Sequence, residues 1–318
     1  MQKIEILRKD TYNCFQNIAL SMAHYYNCDY RMMMLELWGF LYTKSGCGNI
    51  ADRLALCWSG KLERRSNLLS KYHGFTFNYY KKTNVNNIVT FVNENIEKNP
   101  VGVYLDSYNC PWLPFYGKQH RGHIGMIIEQ NICEYVVQDE LCKDGEVYIL
   151  DKAFVENGCE MVIAFKRVAE VQCSEDDYFH ELAESVCTLG HTGAFTNYRD
   201  FIIDMRDFKI TAEIPDTDDP VSSKLIMHLK NISDDRLNLV EAFEYIELQT
   251  GVDLEPAKYN LREIANKYAK LRAHIIKCCF SSKKADSNKC ISELVQIFEH
   301  EKSVVTCVME RIKKRSSF

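Results

Sequence analysis

Two periods organise the order of apolar and polar positions along this chain. In the first half, residues 14–26 read as a helix, 51–72 as one or two more and 87–98 as another. Short apolar runs at 100–106, 122–129, 133–139, 146–150 and 161–166 read as strands, and their close succession suggests an antiparallel sheet. Beyond residue 172 the period is almost wholly helical, with stretches at 175–189, 198–207, 221–250, 255–280 and 292–314. The change of period places a domain boundary near 172, giving an α+β domain over 1–172 and a mainly α-helical one over 173–318. Residues 214–220, with two prolines and three aspartates, predict a loop.

The local chemistry sharpens two of these elements. Asn13 precedes the first helical run and Gln16 follows it by three, which is a capping-box pattern. Cys14 is then the first helical residue, where free backbone N–H groups and the helix dipole favour an anion such as a thiolate. By itself the segment is equally compatible with a cysteine that only packs at a helix start. A nucleophile needs a base, and the base an orienter. A hairpin centred on Asn131, with that residue able to turn left-handed, pairs His123 with Asp139, Gly125 with Val137 and Ile127 with Tyr135. His123 and Asp139 then meet at one sheet edge, and a slip of one residue would separate them.

Composition narrows the class. The chain is 46% hydrophobic and 26% charged with six prolines, the chemistry of a globular protein. A formal charge of −5 gives no basic excess for holding a polyanion, so no nucleic-acid partner is expected. The opening MQKIEILRKD is too charged for a signal peptide, and no run approaches a membrane span, so a cytoplasmic protein without a membrane partner is expected. Fourteen cysteines without a CxxC pair read mostly as reduced, buried thiols rather than disulfides or zinc ligands, Cys47, Cys57, Cys133, Cys159, Cys187 and Cys307 among them. His120 and His123 form an HxxH, but on a strand an odd spacing sends the two to opposite faces, which argues against a metal.

The runs NCFQNIALSMAHYYNCDYRMMMLELWGFLY and PVGVYLDSYNCPWLPFYGKQHRGHIGMIIEQNICEYVVQDE carry a more specific signal. They resemble the N-terminal domain of the BtrH-like acyltransferases of butirosin biosynthesis, over residues 8–170. The resemblance implies a papain-like fold, with the N-terminal helix packed on an antiparallel sheet and followed by a mainly helical companion domain. It also implies catalytic roles for Cys14, His123 and Asp139. The implied reaction transfers an aminoacyl-type chain, γ-glutamyl-4-amino-2-hydroxybutanoyl, from an acyl carrier protein to an amine of the aminoglycoside ribostamycin in antibiotic biosynthesis. No cofactor of the enzyme's own is implied, since the carrier's phosphopantetheine holds the substrate. A thiol peptidase or amidase would use the same residues, and a non-catalytic binding module would use none of them.

Around that core, the Cys14 backbone N–H is one oxyanion-hole donor, and Gln2 is the only upstream glutamine to offer another. Tyr104, Asp106, Tyr108, Trp112 and Tyr116 read either as an acyl-pocket lining or as a cover over the core. Glu175, Asp176, Asp177, Asp216, Asp218 and Asp219 would attract a polycationic acceptor, or form solvated acidic surface. Lys61, Arg64 and Arg65 would meet an acidic carrier protein, or form a solvated face. His191, in the 190–194 loop, is a second candidate base with nothing to place it beside Cys14.

Overall fold

The computed structural model describes residues 4–44, 48–55, 61–85, 87–142, 146–169, 172–207, 209–214, 216, 219–280 and 287–315. The protein is mixed α+β and divides into two units. One comprises Met1–Tyr30 with Ser66–Gln172, the other Arg31–Arg65 with Cys173–Phe318. Residues 31–65 thus leave the expected first domain. The reason is the apolar run beginning at Met32 and interrupted by Glu36: Met32, Met33, Met34, Leu35, Leu37 and Trp38 are all buried, and the 3₁₀ helix Arg31–Leu37 packs on the long helix Lys224–Thr250 of the second unit.

In the first unit, helix α1 (Cys14–Tyr26) begins where the capping-box pattern sets it, and helix α2 (Leu62–His73) enters from the second unit. Gly74, at φ 67°, turns the chain directly from α2 into strand β1 (Phe75–Lys81). Helix α3 (Ile88–Ile96) leads to β2 (Val101–Asp106), then β3 (Gly122–Gln130), β4 (Glu134–Gln138) and β5 (Tyr148–Asp151). Helix α4 (Lys152–Gly158) and β6 (Met161–Arg167) close the unit. The sheet is antiparallel, in the order β1-β6-β2-β3-β4-β5. Neither β1 nor α4 is among the elements the periodicity predicts.

Helix α1 packs on the sheet through aromatic rings. Phe15 meets Phe77 of β1 edge-on at 5.0 Å between centroids, and Phe77 meets Phe165 of β6 at 5.9 Å. Each such fully buried ring contributes about 1.5–3 kcal/mol of transfer free energy. The segment before α1 is laced along the helix: the Leu7 N–H donates to Ser21 Oγ and the Lys9 N–H to Asn17 Oδ1, both at 2.9 Å. A second apolar cluster joins Ile88, Val92 and Ile96 of α3 to Val101, Val103, Leu105, Ile127 and Val137.

The β3–β4 hairpin differs from the expected register. Ile127 faces Val137 and Met126 faces Gln138; beyond a bulge at Ile128, Glu129 faces Val136. Continuing that ladder sets Gly125, not His123, across from Asp139. The displacement is two residues, and an even shift keeps every side chain on its own face. Asn131 is not left-handed, since Asn27 is the only non-glycine at positive φ among the described residues. Its side chain instead accepts the N–H groups of Cys133 and Glu134 at 3.0 and 2.7 Å.

The second unit is mainly helical. Its long helices are α5 (Glu175–His191), α6 (Ala194–Asp204), α7 (Lys224–Thr250), α8 (Glu255–Phe280) and α9 (Ser287–Arg315), and Leu41–Tyr42 pairs with Leu54–Ala55 in a two-stranded sheet. At its centre the Arg236 guanidinium, 1% exposed, donates to Glu301 Oε1 at 2.6 Å and to the carbonyls of Leu37 and Gly39 at 3.1 and 2.8 Å. These bonds fasten the 31–65 excursion to α7. Of the predicted 214–220 loop, Pro215, Thr217 and Asp218 lie outside the described residues, and a short 3₁₀ turn begins at Pro220.

Candidate active site

Helix α1 presents Cys14 at its first turn. Asn13 Oδ1 accepts the Gln16 N–H at 3.0 Å, and Gln16 Oε1 accepts the Asn13 N–H at 2.8 Å. The first i→i−4 bond is Asn17 N–H to Asn13 C=O, so the N–H groups of Cys14 and Phe15 lie ahead of the helical ladder. Cys14 is half-buried at this positive end of the helix dipole.

The structure brings His123 to it. His123 lies at the start of β3, is 9% exposed, and hydrogen-bonds Cys14 through its side chain. Its Nε2 donates to Asp139 Oδ2 at 2.6 Å, which leaves Nδ1 for the thiol. The expected face-to-face pair is therefore replaced by a diagonal one across Gly125, whose missing Cβ would stand 3.6 Å from Asp139 Oδ2. Diagonal neighbours on one sheet face remain within reach of long side chains.

Asp139, 4% exposed, is held from three sides. Besides His123 it takes the Trp112 indole N–H on Oδ2 at 3.1 Å and the Leu141 backbone N–H on Oδ1 at 2.9 Å. These N–H donors satisfy the oxygens of the buried carboxyl group. For His123, burial opposes the charge, yet the bonds to Asp139 and Cys14 outweigh it and raise the imidazole to about 10. The site thus favours the imidazolium form of His123.

Two neighbours take roles that were not legible in the sequence. Trp112 was expected as pocket lining or core cover; it is buried, stacks on Tyr148 at 5.1 Å and clamps Asp139. Glu140 follows Asp139, is half-buried and hydrogen-bonds Asn17 of α1; burial foremost lifts its carboxyl to about 7. No pattern in the chain distinguishes these two from other aromatic and acidic residues, because both act through a register that spacing alone does not fix.

The remaining candidates disperse. Gln2 lies outside the described residues. His120 is in the loop before β3, not on the strand, and its Nδ1 bonds Asp106 Oδ2 at 2.6 Å while its ring stacks on Tyr108, so the two histidines serve different carboxylates. Tyr116 is exposed. In the second unit, Asp177 forms a capping box with Ser174, and Glu175 and Asp176 pair with Arg315. Arg64 binds Glu36 and Glu181, Lys61 binds Glu36, and Arg65 is 1% exposed, so this trio is committed within the fold rather than forming a solvated or docking face. Asp216 Oδ1 accepts the Asp219 N–H, Asp218 lies outside the described residues, and His191 ends α5. Cys159 is buried and Cys307 half-buried, but Cys133 and Cys187 are exposed, because each sits on the outer side of a turn or helix; Cys47 and Cys57 lie outside the described residues.

No helix among the described residues is long and apolar enough to cross a membrane. No known protein-family pattern matches the chain, and no curated protein matches it.

Proposed function

We propose that the protein is a cysteine-nucleophile acyltransferase of papain-like architecture. One observation carries this reading: a helix-terminal Cys14 hydrogen-bonded to His123, itself bonded to the buried Asp139. In the proposed reaction the Cys14 thiolate attacks the carbonyl carbon of an acyl thioester, forming a C–S bond while the carbonyl electron pair moves to oxygen. Collapse of that intermediate expels the donor thiolate, which takes a proton from the His123 imidazolium. His123, now neutral, accepts a proton from an amine as the amine attacks the acyl-enzyme. Asp139 holds the ring in the tautomer that places Nδ1 at the sulfur.

The donor class follows from the resemblance of residues 8–170: a γ-glutamylated 4-amino-2-hydroxybutanoyl chain on a carrier protein's phosphopantetheine, with an aminoglycoside such as ribostamycin as acceptor. The test is product analysis with an acylated carrier protein, with and without added amine, on wild type and Cys14→Ala. The expected result is an acyl adduct on wild type that amines discharge to amide, and neither adduct nor amide with Cys14→Ala. Release of free acid with every amine would assign the site to a thiol hydrolase instead. Amide formation by Cys14→Ala at the wild-type rate would overturn the nucleophile.

A further inference from the structure

Gly122 immediately precedes His123 on β3, and its backbone is not in the left-handed region, so no turn requires a glycine there. Space requires it. A Cβ at position 122 would fall 1.6 Å from the Tyr104 hydroxyl and 2.2 Å from the ring carbon bearing it. The Tyr104 phenol therefore occupies the volume that a side chain at 122 would take, one residue from the base. Tyr104 pairs with Ile124 and Leu105 with His123, so the phenol and the imidazole start from opposite sides of the pleat. Tyr104 is half-buried, and among the described residues its hydroxyl has no hydrogen-bond partner. Burial first, then the charges of Glu160, Cys14 and Asp106, raise its ionisation above the ordinary phenol value. The group stays a protonated donor throughout the working range, and Tyr104 shares the sheet face of Ile163, Phe165 and Phe77, the face on which α1 packs with Cys14 at its start.

A hydroxyl held over a glycine at a nucleophile, with its donor capacity unspent, is placed for charge that appears only during reaction. We infer that Tyr104 is a catalytic residue whose hydroxyl, together with the backbone N–H of Cys14, forms the oxyanion hole, and that Gly122 is the cradle that admits it. The inference rests on the acyl-transfer reading and supplies the second donor for which Gln2 was the sequence's candidate. Tyr104 donates a hydrogen bond to the oxygen that becomes negative when the thiolate adds to the carbonyl; its proton is not transferred. When the intermediate collapses, the bond relaxes with the restored C=O.

Two reagents separate this role from a structural one. Iodoacetamide alkylates a thiolate by displacement at carbon and forms no oxyanion, whereas p-nitrophenyl acetate acylates it through a tetrahedral oxyanion. Both rates are followed at Cys14 by peptide mass mapping, for wild type, Tyr104→Phe and Gly122→Ala. Loss of one oxyanion donor costs roughly 100-fold in acyl transfer. Tyr104→Phe is expected to acylate roughly 100-fold more slowly while its alkylation stays within about 2-fold of wild type. Gly122→Ala is expected to behave alike, because the clash meets the far end of a side chain that swings aside rather than backbone. Acylation of Tyr104→Phe at the wild-type rate overturns the role of Tyr104 and leaves the nucleophile standing. Absence of any acylation at Cys14 in wild type overturns both. Parallel loss of alkylation and acylation in both variants shows a structural role and overturns the inference.

Discussion

His123 is where burial and charge oppose one another most directly. A buried imidazole ordinarily loses its proton, and here Asp139 and Cys14 reverse that, raising it to about 10 from 6.5. The sign for stability follows. A proton held more tightly in the folded state stabilises fully below about pH 6.5, progressively less from there to about 10, and not at all above it. The stability difference between wild type and His123→Gln is therefore expected to shrink as pH rises across that window, as read from urea midpoints at several pH values. Glu140 shifts in the same direction, with burial lifting it to about 7 from 4.5, so its folded-state charge is disfavoured as pH rises through that interval. Glu140→Gln is expected to raise the urea midpoint at pH 8 and change it little at pH 4. An equal effect at both would contradict the assigned burial. Trp112 acts on the same centre from the far side of Asp139, where a hydrogen bond to a charged group is worth about 1.5–3 kcal/mol. Trp112→Phe should slow acyl transfer by roughly 10-fold or more while the fold persists.

Elements turn these residues into a site by their ends. Helix α1 stops backward growth at Asn13, whose side chain caps Gln16, and this fixes Cys14 at the first turn. Asn13→Ala should cost about 1 kcal/mol of stability in chemical denaturation. It should also slow alkylation of Cys14, since the helix start that positions the sulfur would fray. The limits of α1 were readable because cap, box and apolar spacing agree within one short segment. Four strands, β2, β3, β4 and β6, were readable to within a residue or so for a similar reason. Strand β1 was not: Gly74 joins it to α2 without a loop, and its partner β6 is remote in the chain, so no local signal marks the sheet's edge. The hairpin register failed by two residues because the bulge at Ile128 and the Asx turn at Asn131 are properties of backbone geometry rather than of spacing. His123 and Asp139 still meet despite that shift because two residues is the period of the strand.

At the scale of the whole molecule, the chain leaves the first unit after Tyr30 and returns at Ser66. An apolar run such as MMMLELWGF announces that it will be buried, not against what, and so the excursion was invisible in sequence while the change of period near 172 was plain. Arg236 holds the excursion by its bonds to Leu37, Gly39 and Glu301. Breaking a buried ion pair from one side costs about 3–5 kcal/mol, whereas replacing both partners by apolar groups is often neutral. Arg236→Met should lower the denaturation midpoint of the helical unit sharply, and Arg236→Met with Glu301→Leu should recover much of the loss. The measurement that bears most directly on the central claim is peptide-level mass spectrometry of the whole protein, quenched after brief exposure to an acyl thioester. The acyl group is expected on the peptide containing Cys14, ahead of the exposed Cys133 and Cys187. Acylation that favours those exposed thiols, or that His123→Ala leaves undiminished at Cys14, would contradict it.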